Sequence, residues 1–179
     1  MAGTIALQTP RLLLRRHVPE DAGLLYRNFG TDAAMFRYSG WNPYAAPEQA
    51  RETVQRFIDS YADPRFYGWA IECDGRMIGT IGAYDYDQEK NQIEVGFSIE
   101  RASWGKGYAA EALEAVLDYL TVQEGIARVT AWCASDNIAS KRTQEKAGMR
   151  PSGIDAGGLE VEGQRYDKLV YTYSIQESE

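Results

Sequence analysis

The sequence predicts a mixed α/β fold, with about seven mostly antiparallel strands flanked by about four helices. Three stretches carry that prediction. From 93 to 99 the chain alternates strictly, with Ile93, Val95, Phe97 and Ile99 apolar, the period of a strand with one buried face. Ala109, Ala112, Leu113, Val116, Leu117 and Leu120 then make a single helical stripe. Asp74-Gly75 between two apolar runs is the signal of a two-residue hairpin turn. Residues 91–120 therefore read as strand, glycine loop and helix, the unit around which the other elements are arranged.

In chain order, 11–16 form a first strand. Pro19 opens a helix to about 29 that carries Glu20 and Asp21 in its first turn. Residues 30–46 are irregular and hold Trp41, Pro43 and Tyr44, aromatics that are either packed over the core or shaped for a ligand. Pro47 starts a second helix whose positions 50, 54, 57, 58 and 61 share an apolar face, ending near Asp63 and Pro64. The hairpin 66–73 and 76–85 follows, then a turn at 88–91 into the central strand. After the long helix, 128–134 is a short buried strand. Asp136 or Asn137 caps a helix that stops at Gly148, a left-handed C-terminal cap. The last strands are 149–154 and 168–175, with Gly157, Gly158 and Gly163 marking a mobile connection between them.

The 179 residues suit one domain, 1–179, with a core that needs no covalent staples. Cys73 and Cys133 lie inside strand-like runs and read as reduced core residues, since two lone thiols make neither a disulfide framework nor a zinc spacing. No metal is expected. The N-terminal stretch lacks the apolar run of a signal peptide, and nothing approaches the length of a membrane span, so a cytoplasmic protein is expected. Twenty-six acids against nineteen bases give a net charge of −7, which disfavours nucleic-acid backbones and suits a cationic partner.

Gly105 and Gly107 let the backbone pass closely around a bound group, and the amides of the loop and first helical turn suit an anion. A tight strand-to-helix connection explains the same glycines. A P-loop would need GxxxxGK[ST], which GKGYAA is not, and a dinucleotide fingerprint would need a third spaced glycine in parallel βαβ units.

W-G-K-G-Y-A at 104–109 is similar to the Q/R-x-x-G-x-G/A loop of the GNAT acyl-CoA N-acyltransferases. L-Q-T-P-R-L-L-L-R at 7–15 and N-I-A-S-K-R-T-Q-E-K-A-G-M at 137–149 resemble the same superfamily, in its ribosomal-protein N-terminal acetyltransferase (RimJ/RimL-like) branch. The three blocks stand in the family's order and, with the strands between them, span nearly the whole chain. Trp104 departs from the usual Gln or Arg.

The resemblance implies a GNAT fold whose central strand splays from its neighbour to admit the pantetheine of acetyl-CoA. On that analogy the backbones of Phe97 and Ile99 pair with pantetheine amides, while Trp104, Gly105, Lys106, Gly107, Tyr108 and Ala109 hold the pyrophosphate. Asn137 and Ser140 belong to the family's helix motif, and in this branch the serine hydrogen-bonds the CoA thiol. Other branches place a tyrosine acid where this chain has Gln144.

Acyl transfer to an amine requires a neutral nucleophile. A lysine amine is only about 0.04% neutral at pH 7, an α-amine roughly 14%, so an N-terminal acceptor needs less help from a base. Glu94 is the candidate base, on the opposite face of its strand from Ile93 and Val95; a solvent-facing glutamate would show the same pattern. Ser140 is the candidate acid, better suited to ordering or relaying a proton than to donating one outright. It could also be a helix-surface serine, and Asn137 merely an N-cap. His17 reads as a surface or capping residue. Trp41, Tyr44 and Tyr84 are candidate acceptor contacts, and the 157–163 connection would help shape that site. The expected function is acetyl-CoA-dependent N-acetylation by direct attack in a ternary complex, with a protein N-terminal α-amine as acceptor. The alternatives are a small cationic amine such as an aminoglycoside or polyamine, or a non-catalytic acyl-CoA sensor. A monomer or homodimer is expected.

Overall fold

The computed structural model describes residues 1–38 and 43–175; Trp41 lies outside them. The strands are β1 (Leu7–Gln8), β2 (Leu13–Arg15), β3 (Tyr67–Cys73), β4 (Arg76–Asp87), β5 (Gln92–Ile99), β6 (Arg128–Ala134), β7 (Arg150–Val161) and β8 (Gln164–Tyr173). They form one sheet in the order β1-β2-β3-β4-β5-β6-β8-β7. Every neighbouring pair is antiparallel except β5 and β6. The helices are α1 (Asp21–Leu25), α2 (Ala33–Phe36), α3 (Pro47–Ser60), α4 (Tyr108–Asp118) and α5 (Ile138–Lys146). The expected mixed, mostly antiparallel sheet is present, and the described residues hold one more strand and one more helix than predicted. The additions, β1 and α2, are too short to show a period.

Hydrophobic periodicity placed the core correctly. Ile93, Val95 and Ile99 of β5 are buried with Ala112, Leu113, Val116 and Leu117 of α4 and with Val129, Ala131 and Cys133 of β6. Trp69, fully buried in the same cluster, packs edge-on against Tyr119 at 6.0 Å. On the other face, Ala22, Leu25, Phe29, Ala50 and Val54 bring α1 and α3 over Ala70 and Met77. Asp74 and Gly75 both have positive φ, 51° and 76°, as the predicted hairpin turn requires. Asn137 caps α5, its side chain accepting from the Ser140 N–H at 3.2 Å, and Gly148 terminates it at φ 94°.

The C-terminal expectation needs correction. Residues 157–163 are not a connection between separate short strands: β7 and β8 run for 12 and 10 residues and meet at a two-residue turn, Glu162-Gly163, with φ 49° and 79°. Gly157 and Gly158 sit within β7, where the register shifts between Asp155 and Leu159. Gly157 takes φ 64° there, and its N–H donates to Asp167 Oδ1 at 2.8 Å. These glycines serve a bulge.

His17 is also corrected, because it is buried. Its ring lies 5.0 Å from that of Phe57, Nδ1 is 3.4 Å from Asp21 Oδ2, and its backbone N–H donates to the Tyr61 hydroxyl. Asp21 is buried too and takes both guanidinium nitrogens of Arg15 at 2.9 and 3.0 Å and the Val18 N–H at 2.9 Å. Those partners outweigh desolvation and hold its carboxyl well below the usual carboxylate range. Arg15 also reaches Glu72, so the cluster ties α1 to β2 and β3. Among the described residues no helix is long and apolar enough to cross a membrane.

Candidate active site

The parallel pairing of β5 with β6 is brief: Gln92, Ile93 and Glu94 face Arg128, Val129 and Thr130, and then the register ends. Residues 95–99 and 131–134 remain strands, but each is paired only on its far side, β5 to β4 and β6 to β8. The sheet therefore forks just beyond Glu94. This is the splay expected of the central strand, and it leaves the fork-facing backbone polar groups of β5 without a strand partner.

Residues opposite one another in register share a face. Tyr84 pairs with Glu94, Glu94 with Thr130, and Thr130 with Thr172. By alternation Gly96 and Ser98 of β5, Trp132 of β6 and Tyr166, Lys168 and Val170 of β8 stand on that same face. It is also the face of Ala70, over which α1 and α3 pack. The Tyr84 hydroxyl lies over Gly96, so close that a β-carbon there would meet it at 2.7 Å. Lys168 Nζ sits 4.3 Å from the centre of the Trp132 ring. Tyr166 meets Tyr38, which follows α2, edge-on at 5.6 Å.

Glu94 is half-buried at the apex of the fork. Desolvation raises its pKa, the Tyr84 hydroxyl opposes the rise, Asp85 adds to it, and Lys168 and the Trp132 indole oppose it. The Tyr84 phenol is itself raised, by burial and by the Glu94 charge. Trp132, Lys168 and Asp85 were missed in the sequence. For Trp132 and Lys168 the signal exists only in the register between strands distant along the chain.

The opposite side of the fork belongs to α5. Cys133 points away from Trp132 into the α4 core, and burial pushes its thiol up to about 11, with the Ser140 hydroxyl opposing the rise. Ser140 Oγ accepts from Gln144 Nε2 at 3.3 Å. Glu94 and Ser140 thus approach the fork from its two faces.

The glycine loop follows β5. A 3₁₀ turn, Arg101–Ser103, leads into it, and the Trp104 indole N–H donates to the Ile99 carbonyl at 2.6 Å. Trp104 therefore clamps the loop to the end of the strand. Gly105 and Gly107 have φ of 75° and 81°, and Gly107 is the N-cap of α4. A β-carbon at Gly107 would meet Lys146 Nζ at 3.0 Å and an Arg11 guanidinium nitrogen at 3.5 Å. Arg11 donates to the Lys106 carbonyl at 2.9 Å, pairs with Glu111 and lies 4.6 Å from the Tyr108 ring centre. Two cations over the N-terminus of an 11-residue helix, beside a loop whose two glycines both take positive φ, fit a phosphate-bearing ligand. Arg11 and Lys146 lie within two of the three sequence blocks, yet their convergence on Gly107 was not foreseen.

Residues 11–150 match the model of the acetyltransferase (GNAT) domain. The chain belongs to the GNAT acetyltransferase family. The chain is 32% identical over 168 residues to the uncharacterized N-acetyltransferase YoaA of Bacillus subtilis (strain 168), covering 93% of this chain and 94% of that protein. In fold it is similar to RimL, a ribosomal L7/L12 alpha-N-protein acetyltransferase in complex with CoA, with a TM-score of 0.88, 19% identity, and coverage of 97% of this chain and 100% of that one. It also resembles the acetyltransferase from Salmonella typhimurium that modifies the N-terminal serine of ribosomal protein L7/L12, with a TM-score of 0.84, 18% identity, and coverage of 96% and 100%. The GNAT enzyme is an acetyl-CoA-dependent acetyltransferase.

Tyr44 stands apart from the fork. Its ring packs on Gly30 and its hydroxyl reaches Thr53 at 3.4 Å, lining a cavity of about 300 Å³ with Pro43, Gln49, Glu52 and Arg56. Its described contacts are those of a residue fixing the loop to α3.

Proposed function

We propose that this enzyme acetylates the α-amine of a protein N-terminus, by direct attack on acetyl-CoA in a ternary complex. The observation that carries the reading is the fork itself, with Glu94 facing it from one side and Ser140 from the other. The acceptor approaches on the Glu94 face, where Tyr84, seated over Gly96, stands with Trp132 and Lys168. Acetyl-CoA enters from the α4 and α5 face. Gly105, Lys106, Gly107, Tyr108 and Ala109, with Arg11 and Lys146, hold its pyrophosphate, and the fork edge at Phe97 and Ile99 pairs with its pantetheine. Trp104 acts through its clamp on the loop, and Asn137 fixes the first turn that carries Ser140. We keep Trp41 as a candidate acceptor contact, and Tyr44 as a residue that holds its loop against α3.

In the reaction a C–N bond forms and the C–S bond breaks. An ammonium acceptor gives up two protons: one passes through Glu94, directly or by a water, to solvent, and the other ends on the CoA sulfur. A half-buried carboxylate with a raised pKa is a modest base. It suits an α-amine, roughly 14% neutral at pH 7, far better than a lysine at about 0.04%. The likeness to RimL supports the same acceptor class. The net charge of −7 and Asp85 beside Glu94 favour the second reading, a small cationic amine; Lys168 on the same face weighs against a polycation. We place the enzyme in the cytoplasm, as one domain over 1–179, acting as monomer or homodimer without metal, membrane or nucleic acid.

Release of CoA thiol from acetyl-CoA, measured with N-terminal peptides of ribosomal proteins, aminoglycosides and polyamines against an amine-free blank, tests this. Turnover confined to peptides is expected. Turnover confined to small polycations would replace the acceptor assignment. Tight acetyl-CoA binding with no turnover on any amine would leave the sensor reading.

A further inference from the structure

Gln144 is 1% exposed on the inner face of α5, one turn beyond Ser140. Its Nε2 stands 3.3 Å from the Trp132 carbonyl and 3.3 Å from Ser140 Oγ, while its Oε1 is buried without a partner among the described residues. A backbone carbonyl can only accept, so the Trp132 oxygen fixes which end of the carboxamide turns towards β6. The NH₂ group then spends one hydrogen on Trp132 and the other on Ser140. The reverse orientation would set two acceptors, Oε1 and the carbonyl, against each other.

This gives the chain of hydrogen bonds a direction. Because Ser140 Oγ accepts from Gln144, its own proton cannot return there. The Ser140 backbone N–H goes to Asn137, and the hydroxyl hydrogen turns towards β6, on the side of the Cys133 thiol and the fork. We propose that Gln144 is a positioning residue that holds the Ser140 hydroxyl as a donor, so that its hydrogen is presented to the sulfur of the departing CoA. No covalent step is assigned to Gln144. The inference rests on the proposed role of Ser140 at the thiol.

A buried residue that only filled space would tolerate Gln144→Met, which is close in volume and has no strong donor. Gln144→Glu is a sharper probe: its ionised carboxylate accepts only, would draw the serine proton back towards the helix, and recovers a donor when protonated. The test compares Ser140→Ala, Gln144→Met, Gln144→Glu and the Ser140→Ala/Gln144→Met pair, each for kcat, acetyl-CoA KM and Tm. The expected result is about a tenfold fall in kcat for both Ser140→Ala and Gln144→Met with acetyl-CoA KM unchanged. The double variant should be no slower than Ser140→Ala alone. Gln144→Glu should fall further at pH 8 and regain rate towards pH 6. If Ser140→Ala loses rate but Gln144→Met keeps it, or the two losses multiply, the positioning role is wrong while the serine reading stands. If Ser140→Ala has no effect, the serine reading fails first. Should Gln144→Glu not fold, the kcat against KM split in Gln144→Met and the double variant decide alone.

Discussion

Glu94→Gln is expected to lower kcat/KM for a peptide acceptor by about 100-fold at pH 7, at the low end of what a general base contributes, because an α-amine is already partly neutral. The deficit has a predicted pH dependence. Below the amine pKa of about 7.8 the acceptor arrives as an ammonium and needs the base; above about pH 9 it arrives neutral, and parent and variant rates should converge. A deficit of constant size from pH 6 to 10 would assign Glu94 to acceptor binding instead of proton removal. Misfolding can be separated from chemistry by sign. Burial raises the Glu94 pKa in the folded protein, so the native state binds more protons than the unfolded chain just above the ordinary carboxylate range. Stability therefore falls as pH rises through the folded pKa. Removing that ionisation should leave Tm at pH 7 unchanged or slightly higher.

Asp21→Ala is expected to be strongly destabilising. Truncation strips Arg15 of two charge-assisted hydrogen bonds and leaves it with Glu72, removes the acceptor for the Val18 N–H, and deletes the neighbour of the buried His17 ring. Breaking a buried pair from one side costs about 3–5 kcal/mol, which for a domain of this size lowers Tm by on the order of 10 °C. The depressed Asp21 pKa sets the pH window. Its contribution is fully present above the unfolded value of about 3.9 and is lost progressively as pH falls below it towards the folded pKa. Thermal melts of the parent and of Asp21→Asn should thus differ most near neutrality and draw together below about pH 4. A Tm difference unchanged on acidification would show that the carboxylate charge is not what stabilises this corner.

How much could be read beforehand varied with the kind of signal. The alternation of Ile93 to Ile99 and the stripe from Ala109 to Leu120 are local periods, and both the core and the fork-forming strand followed from them. Asp74-Gly75, Asn137 and Gly148 act through their own backbone geometry, and each did what its chemistry requires. The β7–β8 hairpin was truncated in the reading because much of β7 is exposed, which leaves no strict apolar alternation, and because its glycines resemble a loop when they serve a bulge. His17 looked superficial because its burial depends on Phe57 and Tyr61 of α3 and its end, some forty residues away. Glu94 was legible as a residue opposite the core face. Most of its company was not: Tyr84 could be named as an acceptor contact, but Trp132 and Lys168 come from two further strands that only the sheet order brings beside it.

The most direct measurement is tandem mass spectrometry of a peptide carrying both a free N-terminus and an internal lysine, after incubation with enzyme and acetyl-CoA. A single acetyl group on the α-amine, appearing about 100-fold more slowly with Glu94→Gln at pH 7, is the predicted result. Acetylation of the lysine alone, or equal α-amine labelling by the parent and Glu94→Gln, would contradict it.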